Sequence, residues 1–344
     1  MKKTVLSMVL AISVILSFSQ GAFSEEKGTE ASAKVRVGAS PSFASAGIFI
    51  AYEKGFFREE GLDVELTVHQ QTTVEILPLL ATNKLDVGGC ALGAGIINAF
   101  NQDTGVRMVA CMGRHEGARS HLIVVVNSKE TGELTADRIR GQKFAIPSRG
   151  VIHEIIIEKF LSGYGLGIGD VEIVTMSYPN INMALASGAI FGSVQLEPFA
   201  SMGIAEGYAL PVVKAGDIRP KFQGGILLYS GGFISNKEAA DKWMVAYLKG
   251  VRVFNDFLNG KIDDKEIFDI ISKYTSIKNY DVFKRISFGG LNPDGFVDKE
   301  SVKEDIDWYY DHGYVASRPD VNDIVDDEFA EYAVKELGPY RSDK

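Results

Sequence analysis

The sequence predicts an α/β protein of two lobes, each a mostly parallel sheet flanked by helices, with a helical C-terminal region. Three observations predict it. Short runs of alternating polarity recur between stretches of helical spacing. That strand–helix pattern breaks near residue 128 and restarts near residue 143. From Ser235 onward the spacing is helical throughout.

The elements follow in order. Lys2 and Lys3 precede an apolar run at residues 5–18, and Ala22-Phe23-Ser24 offers small residues at cleavage spacing. Residues 1–24 therefore read as a secretory signal peptide, with export and removal expected. A retained anchor is the alternative, although the run is short for a bilayer span. No cysteine follows it for lipid attachment. Residues 25–33 are polar and small, a disordered leader. Lys34-Val35-Arg36-Val37-Gly38 alternates as a strand, and a helix over 42–54 ends at Gly55. A strand over 62–68 follows, then a helix over 72–83 that Pro78 should kink or delay. A strand over 85–89 runs into a glycine loop; a helix over 94–101 and strands over 106–112 and 121–127 complete a first lobe, 34–128.

Residues 129–228 read as a second lobe inserted into the first, with strands at 143–146, 171–176, 193–196, 208–213 and 226–229. Helices over 148–161, with Ser148 as its cap, and over 181–186 lie between them. The chain should cross between lobes near 125–128 and 228–230 and act there as a hinge. Residues 229–344 return to the first lobe. Ser235 and Glu238 have capping-box spacing, and Trp243, Tyr247, Val251 and Phe254 mark one apolar helix face.

Bulk properties exclude several classes. The 344 residues carry a net charge of −9 with no long basic run, which argues against nucleic acid as a partner. Apolar content of 46% and charged content of 24% are ordinary for a globular chain. Five histidines and two cysteines without ligand spacing predict no metal site and no cofactor. Cys90 and Cys111 either pair in an oxidising compartment or sit buried as small apolar groups. No Ser-His-Asp or Cys-His constellation stands out, so no enzyme activity is expected, an enzyme on the same fold being the lesser alternative.

Four motifs carry a family resemblance. They are Ala51-Tyr52-Glu53-Lys54-Gly55-Phe56-Phe57-Arg58-Glu59-Glu60-Gly61-Leu62-Asp63-Val64, Asn83-Lys84-Leu85-Asp86-Val87-Gly88, Ile139-Arg140-Gly141-Gln142-Lys143-Phe144-Ala145-Ile146-Pro147, and Leu185-Ala186-Ser187-Gly188-Ala189 ending at Glu197-Pro198. Their order and spacing over residues 34–249 resemble the periplasmic binding proteins of nitrate, sulfonate and taurine importers, and relatives that bind thiamine-pyrimidine precursors. The resemblance implies a type II periplasmic binding protein-like fold and a monomer in the periplasm. It also implies an ABC permease with its ATPase as partner, or a membrane sensor in its place. Two departures stand out: Phe191-Gly192 and Leu196 replace the family's usual Asp-Ala and aromatic residue. The cysteine-rich motif of the pyrimidine-synthesising relatives is absent.

In such a fold, ligands sit outside the carboxyl ends of the strands. Five loops then supply candidate ligand residues: Ser42, Phe43 and Ser45; Ala91 and Leu92; Arg114 and His115; Arg149, Ile152 and His153; Gln195 and Glu197. Arg149 and Arg114 favour an anion such as a sulfonate or carboxylate, held by bidentate charge-assisted bonds. Phe43, Tyr178 and Phe199 offer the alternative of a planar heterocycle between aromatic faces.

Overall fold

The computed structural model describes residues 32–70 and 72–342, leaving aside the side chain of Thr72. The expected signal peptide lies outside them, as does the leader except for its last two residues, of which Ala33 already belongs to a strand.

Among these residues ten strands form two five-stranded sheets. The first contains β1 (Ala33–Ala39), β2 (Leu62–Val68), β3 (Val87–Ala91), β4 (Arg107–Glu116) and β10 (Lys221–Tyr229), in the order β2-β1-β3-β10-β4. The second contains β5 (Leu122–Asn127), β6 (Lys143–Ile146), β7 (Glu172–Thr175), β8 (Gly192–Leu196) and β9 (Ala209–Lys214), in the order β7-β6-β8-β5-β9. Each sheet has one strand running against its neighbours: β10 against β3 and β4, and β5 against β8 and β9. The sheets are therefore mixed, with four strands one way and one reversed.

The reversed strands bring the chain into one sheet and return it to the other. That places β5 in the second sheet and not at the end of the first lobe, and all of β10 in the first sheet. The crossings accordingly fall between β4 and β5 and between β9 and β10, earlier in the chain than 125–128 and 228–230. Both strands are apolar on both faces, as central strands must be, so composition alone does not assign them to a sheet.

Local chemistry explains most elements. Asp86, at the entry to β3, accepts from the Arg36 backbone N–H (2.7 Å) and is ion-paired with its guanidinium (2.6 Å), which fixes β3 beside β1. Gly55 at φ 79° stops the helix Ala46–Glu53, a left-handed turn that a Cβ would strain. The helix Thr72–Ala81 runs through Pro78 and starts where expected. In the second lobe the helix starts at Ile152, and Ser148 lies in the loop before it.

Three apolar clusters hold the molecule. One packs the first sheet against the C-terminal helices, around Phe49, Phe57, Trp243, Tyr247 and Phe254. A second joins both lobes, running from Ile97 and Phe222 to Ile156 and Phe144, with Tyr309 beside them. A third and smaller cluster lies within the second lobe, around Ile181 and Leu185. Cys90 and Cys111 are free and buried. Ile226 of β10 lies in register with both, so they sit two strand spacings apart, roughly 9–10 Å, beyond disulfide reach.

Candidate functional site

Between the sheets lies a cavity of about 590 Å³, within the range of small-molecule sites. Loops at the ends of β1, β3, β6 and β7 meet there with β4, β10 and the start of β5. The lobes touch beside it. The Ala94 N–H donates to the Gly150 carbonyl (2.8 Å), and Gly93 forms an isolated bridge with Val151. Farther round, the Ser287 N–H donates to Glu197 (3.1 Å) and the Ser287 hydroxyl to the Ser120 carbonyl (2.8 Å).

Of the residues expected from sequence, Ser42, Ala91, His115, Ile152 and His153 line this cavity, as do Tyr178 and Phe199. Phe43 and Ser45 lie behind its wall. Phe43 packs edge-on against Phe288 (5.0 Å between centroids), and the Ser45 hydroxyl accepts from the Ser40 N–H (3.1 Å). Leu92 is fully buried in the core.

Neither arginine reaches the cavity. Arg114 precedes His115 on β4, and strand alternation turns it the other way, to pair with Glu116 (3.0 Å) beside a smaller surface pocket. Arg149 is taken by Glu154 (2.6 Å), whose side chain is 1% exposed. The other Glu154 oxygen accepts the Gly150 N–H (2.6 Å), and the Tyr314 hydroxyl donates to the first (3.0 Å). A carboxylate of the protein itself thus takes Arg149 and the Gly150 N–H, two of the groups that were expected to cradle an anion. Alternation also separates Leu196, which lines the cavity, from Gln195, which donates to Asn182 (2.6 Å). Glu197 accepts from the Ser201 N–H (2.9 Å) and hydroxyl (2.7 Å), and burial raises its carboxyl above the ordinary range.

Three histidines border the cavity: His115, His121 and His153, all buried. Burial pushes the His121 imidazole down to about 4 and that of His153 to about 3, and holds His115 well below its ordinary value. All three are neutral at physiological pH. His153 Nε2 meets the Tyr178 hydroxyl (2.9 Å), and the Tyr178 ring stacks on Phe199 (5.1 Å between centroids, 12° between planes). His115 stacks on Phe222 (4.1 Å, 3°) and leans on His121 (4.2 Å). Burial holds the Cys90 thiol, also in the lining, protonated with a value of about 12.

Sequence reasoning missed His121, Gly224 and Gly225, because each depends on where the chain crosses between sheets. Once β5 is seen to open the second sheet, His121 stands at its mouth. It also missed Gln70, Thr73 and the Thr175–Ser177 loop, whose residues carry no distinctive signal.

Two mixed sheets with a ligand-sized cavity between their loop ends define the class: this is the periplasmic binding protein fold. The chain belongs to the NMT1-like family, whose model it matches over residues 28–251. No curated protein sequence matches it. Solved structures share its fold at low identity. The ligand-binding component of an ABC-type import system from Staphylococcus aureus, with zinc bound, is 17% identical at a TM-score of 0.73, covering 88% of this chain and 99% of that one. The alkanesulfonate-binding protein SsuA from Xanthomonas axonopodis pv. citri, bound to MOPS, is 16% identical at 0.68, covering 86% and 98%. The periplasmic nitrate-binding protein NrtA from Synechocystis PCC 6803 is 14% identical at 0.68, covering 89% of each chain. Among the described residues there is no group of three or more His, Cys, Asp or Glu placed to hold a metal ion, and no helix long and apolar enough to cross a membrane.

Proposed function

We propose that this chain is an extracytoplasmic solute-binding protein, which captures a small organic molecule between its lobes and delivers it to the permease of an ABC importer. The observation that carries the reading is the cavity of about 590 Å³ walled by both sheets. The NMT1-like family and the importer components among the fold relatives support it. The N-terminal signal-like segment supports a periplasmic location. A ligand that touches both lobes stabilises the arrangement in which they meet, and the permease reads that arrangement by binding it preferentially.

The lining supports binding over turnover. Among the described residues of the lining there is no carboxylate for general acid–base work, and Cys90 is held as the thiol, not the thiolate nucleophile. Calorimetry of the mature protein against a small-solute library tests the reading. One-to-one binding without chemical change of the solute is expected. Turnover of a bound solute, or binding of none, contradicts it.

A further inference from the structure

We propose that the cavity takes an uncharged organic molecule that donates a hydrogen bond to Nε2 of His115. The inference rests on the solute-binding reading and names the ligand class for the same site.

The charge class follows from the lining. Among the described residues that border the cavity, none is Asp, Glu, Lys or Arg. A bound anion would lose its hydration and meet no charged side chain, and a bound cation would meet no carboxylate; either loss disfavours an ion against a neutral molecule of the same shape. Two backbone N–H groups at the cavity walls are already taken. Glu154 accepts the Gly150 N–H, just ahead of the helix Ile152–Ser162. At the opposite wall the Ser40 N–H is taken by the Ser45 hydroxyl, and the Ser40 hydroxyl bonds those of Ser42 (2.7 Å) and Ser45 (2.9 Å). Behind the second-lobe wall, the Glu197 carboxyl is already hydrogen-bonded within the protein.

The donor requirement follows from the His115 tautomer. The Ser120 hydroxyl donates its only proton to the Leu122 carbonyl (3.0 Å). It therefore accepts from His115 Nδ1–H (2.8 Å), which leaves Nε2 as a bare lone pair. That nitrogen is buried and has no partner among the described residues. Such an acceptor costs free energy unless something fills it. Gly224 leaves the space: a Cβ there would lie 2.4 Å from Nε2, and Gly224 and His115 both border the cavity.

Matched pairs test the proposal by calorimetry and thermal shift on the mature protein: benzamide against benzoate, benzenesulfonamide against benzenesulfonate, and benzamide against N,N-dimethylbenzamide. Each amide is expected to bind at least tenfold tighter than its anion, and benzamide at least tenfold tighter than its dimethyl analogue, which has no N–H. His115→Phe should erase the second preference, and His115→Gln, which keeps an acceptor oxygen, should retain part of it. Gly224→Ala tests the same point should the His115 variants fail to fold, and is expected to weaken benzamide about tenfold. Anions bound equally or more tightly overturn the charge inference and leave solute binding standing. If only a cellular small-molecule extract shifts the protein, mass spectrometry of the bound compound decides, a neutral N–H or O–H donor supporting the proposal and an ion overturning it. No shift with any probe or with the extract removes the solute-binding reading, and the inference with it.

Discussion

The two sheets share one strand order yet build opposite walls. Counting only the four forward strands of each sheet in chain order, the second flanks the first, the first flanks the third, and the reversed strand separates the third from the fourth. The first-lobe wall is mostly small: Ser40, Ser42, Ala44, Ala91, Gly224 and Gly225 bring backbone close to the cavity. The second-lobe wall is bulky: Leu122, Ile152, His153, Tyr178, Leu196 and Phe199. Shared topology sets where the loops meet. The size of the side chains on each wall sets what fits between them, which is why fold alone does not name a ligand.

The lobes also differ in what stabilises them. Trp243 is fully buried between Phe57 (5.2 Å) and Tyr247 (5.4 Å) in the larger cluster. Trp243→Ala should cost about 3–5 kcal/mol and lower the unfolding midpoint in denaturant; Leu185→Ala, in the smaller cluster, should cost about 2–3 kcal/mol. Equal losses would show that the lobes unfold with no difference in core strength.

Acid sharpens the contrast at the boundary, where the three histidines sit. Each has a folded-state pKa below its unfolded value, so the unfolded chain binds protons first. The stability is therefore fully present above about pH 6.5 and is lost as pH falls toward about 4 for His121 and about 3 for His153. His121 alone should remove on the order of 3 kcal/mol across that window. Thermal melts between pH 7 and pH 4 check it, and His121→Gln should flatten the slope. A pH-independent midpoint would contradict neutral burial.

The smallest effect distinguishes wall from support. Arg149→Ala removes the partner of buried Glu154, and should cost about 1–2 kcal/mol of stability because the guanidinium itself is half exposed. Ligand affinity should change less than twofold. A tenfold loss of affinity with unchanged stability would return Arg149 to the site.

Strand alternation and glycine stops made the elements legible, and β1 and β2 lie where the spacing put them. The candidate site was legible only in part. Arg114 and His115 differ by a single residue, and which one faces inward depends on strand phase, which loop spacing does not fix. Arg149 looked available because its partner lies five residues on, at a helix turn whose burial only tertiary packing determines. The crossings were misplaced because β5 and β10 are apolar on both faces, and such strands carry no mark of the sheet they join.

Native mass spectrometry of the mature chain tests the central claim most directly, beside a variant in which Ala91→Trp fills the cavity from the end of β3. The wild-type chain should carry one small molecule per monomer, and the variant none while keeping its fold by circular dichroism. A small molecule retained by the folded variant would place binding somewhere other than between the sheets.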